Sequence, residues 1–495
     1  MTEFTHIDWF ALAPELTLLA TALIVLFVEL GLHGERKRHL NPIAIVGYLV
    51  ALGFVAALAI DGTVRSSFGQ MFVVDGFALL FKGFFLVVGV AVLLVSYRYF
   101  NEIRTFQGEY YFLVTSAFLG MLLMPSARDL VMLFIALELV SVPGFIMAAL
   151  RKFDLRSNEG ALKFFLIGVL SVAVLLFGLS VVYGFTGTTD IQGVAAALAE
   201  TERNPFLLAS VLFVIVGFGF KVSAVPFHFW APDTYEGSPV PVTAFLSVAS
   251  KAAGFVGLIL VCFVAFQPLA DVWAPVLGVL AVLTMTLGNL TAMQQRNIVR
   301  LLAYSSIAHA GYMLVPFAVV QPGEPALNQT ALLAVLVYLL TYAIMNIAVF
   351  AAVIAVTRRH PQRRLTDYAG LGNRSPALAL GLTAGLLSLG GVPPLVGFWA
   401  KWYVFFAAVE PGTAAGIVLA AAVVINSVIA MFYYLAVVRT MWFDEAVSDV
   451  ALRPGFALNV AALGLAGAAV VFFVALPLLE GSARAAAALA AGVGL

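Results

Sequence analysis

The chain is a succession of apolar runs, many of twenty residues or more, separated by short polar stretches that hold most of its charges. A helix needs about 20 apolar residues to cross the hydrocarbon of a bilayer. Backbone groups in lipid must be bonded within the structure, which leaves helices or a closed barrel, and the run lengths decide for helices. Windows of about 19 residues predict fourteen spans. The first seven lie near 9–31, 41–61, 73–97, 109–125, 129–150, 158–184 and 205–230; the second seven lie near 239–264, 270–291, 297–319, 326–357, 376–408, 414–438 and 455–479. The pattern therefore predicts an all-α, polytopic integral membrane protein. The span at 326–357 is long enough to tilt or bend, and the Ala-rich tail from Arg484 onward is left unassigned.

Composition agrees. With 495 residues, 63% hydrophobic and 11% charged, and a mean hydropathy of +1.05, there is too little polar surface to coat a water-soluble globule. The formal net charge of zero offers no basic surface for nucleic acid. No Gly-rich phosphate loop or dinucleotide fingerprint is present, which argues against a redox cofactor bound by this chain. The single cysteine, Cys262, falls in an apolar run and reads as a core thiol. Residues 1–10 contain Glu3 and Asp8 but no Lys or Arg, so they do not read as a cleaved signal peptide, and the first helix is expected to stay.

Charge placement sets the orientation, because basic loops stay on the cytoplasmic side. Of 26 Lys and Arg, 17 fall in alternate loops beginning with the Arg36–Arg38 loop, and four (Arg65, Arg128, Arg203, Arg484) fall on the other side. Both termini are thus predicted outside a cell inner (plasma) membrane. The other five, Lys82, Lys163, Lys221, Lys251 and Lys401, lie inside predicted spans, and all are lysines. Arginine keeps its proton under nearly all conditions, whereas a lysine amine in apolar surroundings can give one up. A chain that loads and unloads protons would use lysine.

Glu138, near the middle of the fifth span, is the carboxylate that the pattern places near mid-membrane. A charge there costs at least a few kcal/mol, so it needs a partner or a function; a static ion pair is the competing reading. Lys221 lies at the middle of the seventh span. Glu138 and Lys221 each precede a proline by five positions, Pro143 and Pro226. Proline at i+5 removes the bond to the carbonyl at i+1, freeing the carbonyls of Leu139 and Val222 beside the two charges. An ordinary proline kink is the plainer alternative. Lys251, central in the eighth span, is flanked by small residues that permit close helix approach and water. Lys401 follows Gly390-Gly391-Val392-Pro393-Pro394 in the twelfth span, where the glycines and prolines should break the helix. This helix runs outward, which puts Lys401 on the exit side unless it snorkels.

Lys163 sits four residues after Glu159, the spacing of a helix-surface pair, and is equally a candidate for the proton path, while Lys82 reads as packing or snorkelling. His309, mid-span, and His228, at the seventh-span break, titrate near neutrality and can relay protons between lysines, or serve as hydrogen-bonded core residues. The two breaks are five spans apart, and an odd offset reverses direction across the membrane, as in an inverted repeat of spans 4–8 against 9–13. The expected organisation is a three-helix segment at 1–108, five-helix units at 109–264 and 265–442, and a C-terminal helix with its tail at 443–495.

The stretch Lys221-Val-Ser-Ala-Val-Pro-Phe-His228-Phe-Trp-Ala-Pro-Asp233-Thr-Tyr-Glu-Gly-Ser-Pro-Val-Pro241 with Ser250-Lys251, the run Arg300-Leu-Leu-Ala-Tyr-Ser-Ser-Ile-Ala-His309, and the Gly391-to-Lys401 break resemble a known family. It is the family of antiporter-like, proton-translocating subunits of respiratory complex I and of multisubunit cation/proton antiporters, and the resemblance covers roughly residues 110–442. Within it, lysine rather than glutamate at position 401 argues against the M-type subunits. A chain ending soon after its fourteenth span argues against the L-type, which leaves the N-type subunits of NADH-quinone oxidoreductase. The resemblance implies that Glu138, Lys221, Lys251 and Lys401 line a proton path, and that NADH, FMN, iron-sulfur clusters and quinone belong to partner subunits. Expected partners are other membrane subunits of such a complex, including neighbouring antiporter-like and small ones, together with lipid, protons and internal water.

The expected path runs from Lys221 through Lys251 and His309 to Lys401, with Glu138 setting the charge state of Lys221. Two unit charges about 7 Å apart at an effective dielectric of about 20 interact by roughly 2.4 kcal/mol, the same order as the ~2.3 kcal/mol for moving one charge across 100 mV. A subunit of a multisubunit Na+/H+ antiporter needs similar lysines and is the rival; a passive scaffold with inert ion pairs is a third reading.

Overall fold

The computed structural model describes residues 7–32, 34–103, 107–446, 458 and 462–475. In chain order its helices are α1 (Ala13–Gly31), α2 (Leu40–Asp61), α3 (Gly76–Ile103), α4 (Gln107–Leu123), α5 (Leu130–Ala148), α6 (Leu155–Thr186), α7 (Ile191–Glu200), α8 (Pro205–Val222) and α9 (Trp230–Gly237). There follow α10 (Val240–Phe245), α11 (Lys251–Ile259), α12 (Ala270–Ala292), α13 (Ile298–Leu314), α14 (Pro325–Thr357), α15 (Leu371–Arg374), α16 (Pro376–Gly390), α17 (Gly397–Val409) and α18 (Ala414–Phe443). A further helix covers Ala462–Ala475. Strands β1 (Arg65–Ser67) and β2 (Phe72–Val74) pair antiparallel between α2 and α3.

Eleven helices among the described residues are long and apolar enough to cross a membrane, and they coincide with eleven of the predicted spans. The fourth span is the 17-residue α4, and the twelfth is split between α16 and α17. Only part of the last predicted span is described, and the tail from Arg484 lies outside the described residues. The windows missed α7 and the β hairpin, neither long enough to cross. Helix starts are marked by side chains that satisfy free backbone N–H groups: Asp129 accepts from Val131 and Met132, and Asn297 from Val299 and Arg300.

Two helices break as expected. α8 stops at Val222 with Ser223 left-handed at φ 61°, and the chain resumes helix at Trp230. α16 stops at Gly390, with Gly391 at φ 88°, before α17. Both halves of the first broken helix pack on α6, and both halves of the second pack on α14. By contrast, α5 runs uninterrupted through Pro143, so the matched proline spacing does not produce two breaks. The two breaks each contain a left-handed residue, Ser223 or Gly391, and α5 contains none.

Burial sorts the helices. The segments Val240–Ala265, Ile298–Val319 and Pro325–Thr357 are enclosed almost throughout, whereas α1, α2, α6 and α18 leave most of their surface outside the bundle. Cys262 is buried in the first of these segments. The enclosed segments carry Lys251, His309 and several tyrosines, so polar groups concentrate where lipid cannot reach.

Candidate functional site

The site begins at the first break. Lys221 occupies the last turn of α8, where unpaired carbonyls make the helix end negative and favour a cation. Its Nζ donates to Ser141 Oγ at 2.9 Å, one helical turn beyond Glu138 on α5. Glu138 is within electrostatic reach of Lys221, and its Oε1 is buried without a hydrogen-bond partner among the described residues. The direct contact of Lys221 on α5 is thus Ser141 rather than Glu138. The methylenes of Lys221 rest on Gly254, where an added Cβ would lie 2.8 Å from Lys221 Cγ. Gly254 is three residues past Lys251, so the two lysines share one helix contact.

Around Lys251 the eighth span departs from α geometry, with π turns at Leu246–Ser250 and Leu260–Ala265 on either side of α11. Such insertions occur frequently at functional sites. Lys251 Nζ donates to the backbone oxygen and the hydroxyl of Ser306, at 2.7 and 2.6 Å. Ser306, His309 and Tyr312 follow at three-residue intervals on α13 and so line one face. Both nitrogens of the buried His309 are engaged: Nδ1 lies 2.8 Å from the Tyr338 hydroxyl and Nε2 3.1 Å from that of Tyr434. The Tyr342 ring lies 5.1 Å from the imidazole, centre to centre. Tyr434 continues to Ser305 Oγ at 2.5 Å, while Asn346 links the Tyr342 hydroxyl at 2.5 Å to Ser247, in the π turn before Lys251, at 3.0 Å.

The series ends at the second break. Lys401 projects from α17 back to α16, donating to the carbonyl of Gly390 at 2.8 Å, and its Nζ lies 5.0 Å from the centre of the Tyr312 ring. It too meets the carbonyl end of a half-helix. Gly391 leaves room for it, since a Cβ there would lie 2.9 Å from Lys401 Cδ. A cavity of about 420 Å3 beside it is lined by Gly390, Gly391, Pro393, Phe398 and Ser427, among others.

The structure thus places Lys251, His309 and Lys401 along one face of α13, with Lys251 bonded to Ser306 and Lys401 against the Tyr312 ring that neighbours His309, and it bonds Lys221 to Ser141, one turn from Glu138. It does not bring in the other two candidates. His228 lies buried between α8 and α9 beside Phe229, its Nδ1 without a partner among the described residues. Lys163, whose side chain is 43% exposed, holds Glu159 and Asp233, each at 2.6 Å. Asp233 also takes Arg300 at 2.7 Å, so Lys163 belongs to an ion network on α9. Of the two readings of Lys82, snorkelling is ruled out: it is fully buried, 2.8 Å from Glu15. Glu15 is itself buried, whereas Glu138 is half-buried. Glu15 escaped notice because it lies in the first turn of its helix, where a sequence window places it at the interface.

Residues 127–430 match the profile described as NADH:quinone oxidoreductase/Mrp antiporter, TM. The chain belongs to that family. NADH-quinone oxidoreductase subunit N of Dehalococcoides mccartyi is 40% identical over 474 residues, covering 94% of this chain and 96% of the relative. The protein of the same name from Rhodospirillum rubrum is 39% identical, covering 96% of each. Among solved structures, a chain of "Respiratory complex I from Thermus thermophilus with bound Aureothin" aligns with a TM-score of 0.77 at 30% identity, over 94% of this chain and 98% of that one. A chain of the Mrp complex from Dietzia sp. aligns with a TM-score of 0.83 at 20% identity, over 97% of each chain; that likeness establishes the fold alone.

Proposed function

We propose that this chain is a proton-translocating membrane subunit of a NADH-quinone oxidoreductase, coupling electron transfer performed in other subunits to proton movement through its own buried lysines. The observation that carries the reading is one buried face of α13, where Ser306 bonds Lys251, His309 follows one turn on, and the Tyr312 ring lies between His309 and Lys401, flanked by the Lys221–Ser141 contact beside Glu138. A hydroxyl both donates and accepts, and a neutral imidazole has one nitrogen for each role. A proton leaving Lys251 can pass to the hydroxyl of Ser306 and onward, carried by internal water, to His309, whose two tyrosine partners can exchange donor and acceptor roles as the tautomer changes. Lys401, at the carbonyl end of α16, receives it for release. Glu138 acts by charge: its carboxylate favours the ammonium form of Lys221, and withdrawal of that charge favours unloading.

In this reading NADH, FMN, iron-sulfur clusters and quinone are handled by partner subunits, and the chain itself performs no redox chemistry. It sits among other membrane subunits in a bacterial plasma membrane, with both termini outside. Residues 109–264 and 265–442 form two units of inverted orientation after a three-helix segment at 1–108; the shared packing of each broken helix on a preceding long helix, α6 or α14, supports this division. Names carried by relatives near 40% identity favour NADH-quinone oxidoreductase over the antiporter reading, for which the structural likeness is one of fold.

The test is to purify the complex that contains this chain and to measure proton uptake into sealed vesicles on adding NADH. Co-purifying redox subunits and NADH-driven uptake that falls in Lys251→Ala are expected. Co-purification with antiporter subunits alone, and sodium-driven proton exchange without NADH oxidation, would overturn the proposal.

A further inference from the structure

The N-terminal helices hold a second set of buried charges, remote in sequence from the series just described. Lys82, on α3, is fully buried, with its Nζ 2.8 Å from Glu15 Oε1 on α1 and 4.6 Å from the centre of the Phe72 ring. Neither Glu15 carboxylate oxygen nor Lys82 Nζ has a well-aligned hydrogen bond among the described residues. Two further charges, Asp75 and Arg128, lie within electrostatic reach of Lys82. Asp75 caps the start of α3 by accepting from Ala78 N at 2.8 Å, and takes Arg128 Nη2 at 2.5 Å. Arg128 directly precedes Asp129, the residue that caps the helix of Glu138, and its backbone N–H donates to Met71 at 2.9 Å.

Removing two charges from water costs several kcal/mol per ion, and well-packed apolar residues are often as stable as a buried pair. A loosely bonded amine and carboxylate are therefore costly as a fastener, but they suit a proton that must move. We propose that Glu15 and Lys82 form a second proton-holding site, tied through Asp75 and Arg128 to the start of the helix that carries Glu138. In the ion pair the proton resides on Nζ. Its transfer breaks an N–H bond of Lys82 and forms an O–H bond on Glu15, leaving a neutral amine and a neutral acid. Loss of that proton from Glu15 to water leaves a carboxylate, and uptake of one proton from water by the amine restores the ion pair. The ion pair and the neutral pair both carry no net charge, whereas the state with a carboxylate and a neutral amine presents one negative charge to Asp75 and Arg128, and through them to the N-terminus of α5.

This inference rests on the proton-translocation reading, so the experiment includes a control for that reading. Proton uptake per NADH is measured in sealed vesicles for wild type, Lys82→Arg, the paired variant Glu15→Gln with Lys82→Met, and Lys221→Ala. The paired variant removes both charges together and leaves no unpaired ion, and Lys82→Arg keeps the ion pair but cannot unload. The expected result is normal assembly and NADH oxidation, with uptake per NADH at least twofold lower in both Lys82 variants. Wild-type uptake in the paired variant, with uptake lost in Lys221→Ala, would make the pair structural and overturn this inference alone. Unchanged uptake in Lys221→Ala as well would overturn the functional reading itself. Should the paired variant fail to assemble, Lys82→Arg decides: wild-type uptake contradicts the site, and reduced uptake supports it.

Discussion

At the residue scale, Lys221, Lys251 and His309 each have a hydroxyl partner able to reverse its hydrogen-bonding role, whereas Lys401 meets a carbonyl. His309 is the clearest case, because both ring nitrogens meet tyrosine hydroxyls and one of these, Tyr434, also meets Ser305. Tyr434→Phe removes that hydroxyl and leaves the ring. The loss of one hydrogen bond is worth about 1 kcal/mol, so the aligned imidazole is expected to be about fivefold less populated. Proton uptake per NADH should fall in assembled complex, and unchanged uptake would show that Tyr434 only packs. The lysines, Glu138 and His309 were legible in the sequence because ionisable residues stand out in apolar runs. Their partners were not. Tyr338, Tyr342 and Tyr434 come from α14 and α18, far along the chain from His309, and serine or tyrosine in a membrane helix is unremarkable until packing gives it a neighbour.

At the element scale, the two broken helices do the same work in different ways. α8 brings Lys221 to its own carbonyl end, whereas α17 returns Lys401 to the carbonyl end of α16. The breaks could be read from clustered Gly and Pro and fall where expected, between Val222 and Trp230 around Pro226 and between Gly390 and Gly397 around Pro393. The π turns around Lys251 left no sequence signal, since residue type does not separate them from α-helix. The second break depends on close backbone approach, as a Cβ on Gly397 would lie 1.7 Å from the Ser388 carbonyl oxygen. Gly397→Ala should therefore force the half-helices apart at a cost of about 1–3 kcal/mol, and lower the yield of intact complex on native gels. Gly184→Ala, where a Cβ meets nothing within 4 Å, is the comparison and should assemble normally. Equal yields for the two would contradict the close-approach argument.

At the scale of the whole molecule, the polar groups follow the enclosed helices, with the outer helices serving as an apolar jacket. Sequence windows found this architecture because the bilayer fixes span length. They could not rank the spans by depth, so they do not show that Glu15 and Lys82 are buried together or that the Lys163 side chain is partly exposed. The central claim is that the buried lysines exchange protons and do not act as fixed charges, and Lys221 tests it most directly. Arginine retains the charge, but its pKa of about 12.5 or more prevents unloading. The decisive measurement is proton uptake into sealed vesicles per NADH oxidised, comparing wild type, Lys221→Arg and Lys221→Ala in normally assembled complexes. The account predicts that both variants lose uptake while NADH-driven quinone reduction remains measurable; wild-type uptake with arginine would contradict it.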